Sequence, residues 1–127
     1  MSRSSVALVR CETYEPDVVY GALKRGVALL GGIDRFVRRG ERLLLKPNLL
    51  AGEVPDNVVT THPSVLASCA RLFQEAGAAV AFGDSPGLER PVRAAERAGL
   101  IEAGRRSGAE FVDFSSGRRV DHPDGRL

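Results

Sequence analysis

The 127 residues contain no tryptophan, two cysteines and only 6% aromatic side chains. Without bulky rings, a core has to be assembled from Leu, Val and Ala, which suit closely spaced helix-on-sheet layers. Cys11 and Cys69 have no CxxC partner, so neither a disulfide framework nor a metal cluster can be read from them. Cys69 lies in an apolar helical stripe and reads as core, whereas Cys11 follows a strand-like segment and reads as exposed. No stretch approaches the ~20 apolar residues of a membrane span. The opening Ser-Arg-Ser-Ser and its short apolar run lack the h-region of a signal peptide. The expectation is a cytoplasmic protein without a membrane partner. An excess of one charge is also lacking, with 18 basic residues against 16 acidic. Arg38, Arg39 and Arg42 form the densest basic group, but Glu41 interrupts it. They read as a solvated helix end and turn rather than a nucleic-acid surface.

What is present is an ordinary globular balance, 43% hydrophobic and 27% charged, in one domain's worth of chain. Ser5 to Arg10 (SVALVR) reads as a first strand. Asp17 can cap a helix over roughly 18–30, which Gly31-Gly32 ends. Residues 33–39 read as a short turn or helix with Phe36 and Val37 tucked in. Arg42 to Lys46 reads as a second strand whose unbroken LLL run fits cover on both faces. After a long irregular loop, Pro63 opens a helix carrying the stripe Val65, Leu66, Cys69, Leu72, Phe73 and Ala76, and Gly77 stops it. Ala78 to Phe82 is a third strand. Helical segments over 89–98 and 100–107 break at Gly99, and Glu110 to Phe114 is a fourth strand. Residues 115–127 read as a polar tail, with His122-Pro123-Asp124-Gly125 resembling a hairpin turn and His122 solvated.

Strands alternating with helices predict an α/β fold, a mostly parallel sheet of about four strands flanked by helices in a three-layer, Rossmann-like arrangement. Ligands in such sheets bind at the carboxyl ends of the strands. Two polar loops follow strands, and they hold the candidate site.

Lys46-Pro47-Asn48 is the first. Sixteen of the 18 basic residues are Arg, yet a Lys, a compact point charge, closes the most hydrophobic strand. Lys46 could neutralise an anionic ligand, with Asn48 orienting it through a donor and an acceptor; a lysine snorkelling to the sheet edge is the plain alternative. In Gly83-Asp84-Ser85-Pro86-Gly87, glycines permit close backbone approach to a ligand. Asp84 offers a carboxylate, and Gly83, Ser85 and Gly87 line the turn; a tight turn with a helix cap is the alternative. Thr60, Thr61 and His62 bring hydroxyls and an imidazole to a helix N-terminus, fit for anion binding or for capping. Lys46 and Asp84 are therefore the candidate catalytic pair. Asn48, Thr60, Thr61, His62, Gly83, Ser85 and Gly87 are the candidate ligand contacts, with no metal site. No Ser/His/Asp set can be assembled.

Leu45-Lys46-Pro47-Asn48-Leu49, Val59-Thr60-Thr61-His62-Pro63, Glu75-Ala76-Gly77-Ala78 and Gly83-Asp84-Ser85-Pro86-Gly87 stand in the order and spacing of one family. From about Val6 to Phe114 the chain resembles the Domain of Unknown Function 362 family, whose members often carry or accompany ferredoxin-like iron–sulfur modules. The family pattern continues with a further strand, a Lys-Thr-His-type segment and a Lys-Asn-containing helix, none of which precedes Leu127. Cysteine ligands for an iron–sulfur cluster are also missing from this chain. The resemblance implies the N-terminal part of a longer domain, an incomplete one, linked to redox chemistry through an iron–sulfur partner or acting as a homodimer. Two functions follow: part of an enzyme binding a small anionic ligand whose cofactor is unknown, or a non-catalytic ligand-binding or assembly module.

Overall fold

The computed structural model describes residues 4–118 together with Val120, Asp121, Pro123 and Gly125. Proline starts three of its four helices: α1 (Pro16–Leu29), α2 (Pro63–Glu75) and α3 (Pro91–Arg97). At that position the fixed φ is already helical and the missing N–H has no intrahelical acceptor to lose. α4 (Leu100–Ser107) begins after Gly99, which takes a left-handed conformation and so separates it from α3. The strands are β1 (Arg42–Leu45), β2 (Ala79–Phe82) and β3 (Glu110–Phe111), with 3₁₀ turns at Ile33–Arg35 and Pro55–Asn57.

The sheet is parallel, ordered β1-β2-β3, with Leu45 level with Phe82 and Phe82 level with Phe111. Alternation along each strand decides what is buried. Val80 and Phe82 point into a core with Leu43, Leu45 and Phe111, beneath Leu66 and Ala70 of α2 and Leu100 and Ala103 of α4. Phe82 is 1% exposed, and burying such a ring is worth about 1.5–3 kcal/mol. It fits because Gly104 faces it: a Cβ there would collide with the ring. α1 packs on α2 rather than on the strands.

The fold is α/β with a parallel sheet flanked by helices, as the alternation predicts, but the sheet has three strands rather than about four. Residues 5–10 form no strand, and Val6 and Leu8 stand 90% and 95% exposed. Nor is the LLL run covered on both faces: Leu44 points away from the core and is 52% exposed. The helices in contact with the strands, α2 and α4, pack on the core face, so the described residues do not supply the second helical layer of a three-layer arrangement. Glu15, not Asp17, precedes α1, and Asp17 sits inside its first turn. Val37 is buried, but Phe36 is about half exposed. The fourth expected strand is the short β3. Cys11 is exposed and Cys69 half-buried, its thiol pushed up in pKa by burial. His122 lies outside the described residues.

Candidate functional site

Because Leu45 and Phe82 are level in adjacent parallel strands, the residues that follow them emerge side by side. The ladder runs one bond further, from the Gly83 N–H to the Leu45 carbonyl at 3.1 Å. Only glycine fits there, since a Cβ would overlap the Val112 carbonyl oxygen and come within 2.9 Å of the Phe114 ring. Lys46 Nζ then meets Asp84 Oδ1 at 2.5 Å. The backbone N–H of Leu49 donates to Asp84 Oδ2 at 2.9 Å. The two members of the pair are unequal: the Lys46 side chain is 66% exposed and that of Asp84 only 8%. Burial pushes the Asp84 carboxyl up in pKa. The Lys46 hydrogen bond, the Leu49 and Ser85 N–H groups and the Lys46 charge together outweigh it, leaving the group below its ordinary value of 3.8.

The loop between β1 and α2 is held by its own polar groups. The Asn48 N–H donates to Thr61 Oγ1 at 2.9 Å, and the Thr61 N–H returns to the Asn48 carbonyl at 3.0 Å. The Asn48 amide also donates to the Val59 carbonyl at 3.2 Å. Asn48 and Thr61 therefore staple the two ends of the loop. Thr60 Oγ1 is buried beside this staple without a hydrogen-bond partner among the described residues. His62 caps α2: its Nδ1 accepts from the Ser64 N–H at 3.2 Å, and its ring stacks on Tyr14 at 3.8 Å. Ser85 and Gly87 are exposed past Asp84. The structure thus brings Lys46, Asp84, Gly83 and the Leu49 N–H to one point at the strand ends, with Asn48 and Thr61 bracing the loop that follows. His62 takes a structural place at the helix start.

Sequence reasoning missed Glu89. Its carboxylate accepts from the Gly52 N–H at 3.0 Å and faces Arg97 at 3.8 Å. A Cβ on Gly52 would come within 2.9 Å of the Ala94 Cα, so glycine lets the loop lie on α3. A glycine inside a long polar loop was the only sequence sign of this close approach. The clamp joins the two strand-end loops and leaves Leu50 and Leu88, neighbours of the clamped pair, 64% and 102% exposed. Among the described residues, no group of three or more His, Cys, Asp or Glu could hold a metal ion. No described helix is long and apolar enough to cross a membrane.

Known proteins bear on this arrangement in two ways. The chain is 38% identical over 120 residues to the thylakoid-associated protein sll1697 of Synechocystis sp. (strain ATCC 27184 / PCC 6803 / Kazusa), an alignment covering 94% of this chain. It spans only 37% of that relative's length. No solved structure matches. The profile of the domain of unknown function DUF362 matches residues 43–127, a span that takes in the Lys46–Asp84 pair, the stapled loop and both clamped segments. The chain belongs to the DUF362 family.

Proposed function

We propose that the carboxyl edge of the sheet binds a small anionic ligand, as part of an enzyme, with Lys46 as the cation that meets it. The observation that carries this reading is the Lys46–Asp84 contact at the ends of adjacent parallel strands, where α/β sheets present their ligands. The buried Asp84 is occupied by Lys46 and the Leu49 N–H, so its part is to position the lysine. Lys46, with most of its side chain in solvent and three donors on its ammonium, has capacity left for a ligand oxygen. Thr60 Oγ1, the Ser85 hydroxyl and the Gly87 N–H are the further contacts, the Ser85 N–H being held by Asp84. The iron–sulfur link implied by the family enters as a partner's contribution, since the described residues offer no ligand set.

A second reading is favoured by one feature. Leu50, Val54, Val58 and Leu88, all on the two strand-end loops, are each more than half exposed, as befits an assembly surface. The thylakoid association in the relative's name supports a membrane-system location as an alternative to the cytoplasm.

Thermal unfolding with inorganic phosphate, pyrophosphate and succinate as probes tests the first reading. At least one millimolar anion should raise the Tm of the native chain, and Lys46→Met should remove that rise. If none of the probes shifts the native protein, or the variant responds equally, Lys46 is not an anion site.

A further inference from the structure

The face of the sheet turned away from the core is apolar and uncovered. β1 places Arg42 and Leu44 on it, and the register sets them level with Ala79 and Ala81 of β2. Glu110 of β3 is level with Ala81. These residues line a shallow groove of about 370 Å³. Parallel strands are ordinarily buried on both faces, because helical crossovers cover them, and AVAF in β2 is apolar on both sides. An all-helix cover on one face alone therefore leaves an unmet demand on the other.

We propose that this face docks one amphipathic α-helix, the counterpart of a segment in the part of the relative that this chain does not match. That part is roughly two thirds of the relative's length. Size selects a single helix. The outer strands stand about 10 Å apart, two spacings of ~4.8 Å, and a helix with its side chains is about 10–12 Å across. Alanines along the central strand form the floor of a trough, and Leu44 forms a wall. The charges set polarity: Arg42 on one outer strand takes an acidic residue of the helix, and Glu110 on the other takes a basic one.

Carbene footprinting of this chain and of the intact relative is the test. Arg42, Leu44, Ala79 and Ala81 should label strongly in this chain, and the aligned residues of the relative should label at least fivefold less. In a second experiment the chain is co-expressed with the unmatched part of the relative, and the product is weighed by native mass spectrometry. A 1:1 complex should form, and Leu44→Arg should weaken it at least tenfold. Leu29→Arg, on exposed α1 surface, should not, and both variants should keep the native Tm. Equal labelling in the two proteins overturns the proposal, as does a complex indifferent to Leu44→Arg. So does a dimer of this chain alone that Leu44→Arg dissociates, which would make a second copy the occupant.

Discussion

Of the carboxylates that pair with basic side chains among the described residues, Glu102 and Asp84 serve different ends. Glu102 on α4 binds Arg105 at 2.9 Å and Arg106 at 2.6 Å, partners one helical turn away. Asp84 binds Lys46 and the Leu49 N–H, partners from a strand-end loop more than thirty residues earlier. Both carboxyls are held below their usual pKa, Glu102 at about 2 by its hydrogen bonds from Arg105 and Arg106. The difference is burial and reach. An exposed pair within one helix arranges what is already adjacent, and solvent screens most of its energy. A buried carboxylate between two loops decides where those loops sit, because removing it strands a donor away from water.

This contrast can be broken by experiment, most strongly at Asp84. Asp84→Ala leaves the Leu49 N–H unsatisfied and should lower the unfolding free energy by about 2 kcal/mol, read by urea denaturation. Equal stability would place the loops under other control. Asp84→Asn keeps an acceptor for that N–H and loses only the charge opposite a largely exposed Lys46. Its cost should be smaller, about 1 kcal/mol. The pH dependence follows in size. The folded pKa of Asp84 is depressed, so the unfolded chain takes up its proton first as pH falls. Its stabilisation is complete above the unfolded value near 3.8 and disappears as pH falls through the lower folded one. The gap between native protein and Asp84→Asn should therefore narrow below about pH 4; a constant gap would remove the carboxylate from the account. Smallest of all, Glu102→Gln should leave the Tm unchanged within error. In an NMR titration Glu102 of the native protein should titrate below its ordinary value of 4.5. Replacing Arg105 and Arg106 with Ala should return it toward 4.5.

Local signals carried much of this. Proline at the start of α2 and glycine after its end marked the helix, and the order of elements was readable from periodicity. Lys46 and Asp84 could be named as candidates because each follows an apolar strand. Ser5 to Arg10 misled because an apolar β-branched run has strand propensity whether or not a neighbour exists to pair with it. The LLL run misled for a related reason: composition shows that Leu44 is apolar, not whether anything lies over it. Glu89 was invisible, since nothing local distinguishes a carboxylate that clamps Gly52 from one that faces solvent.

The amino-acid sequence by itself therefore determined the helices, three of the expected strands, their α/β order, the family and the two strand-end loops, all read from neighbouring residues. Tertiary structure alone decided that β1 and β2 are adjacent with Leu45 level with Phe82. It also decided that Asn48 and Thr61 brace a loop, and that one face of the sheet stays open. The physical reason is that a hydrogen bond or an ion pair depends on separation in space, and strand register sets that separation for residues more than thirty positions apart.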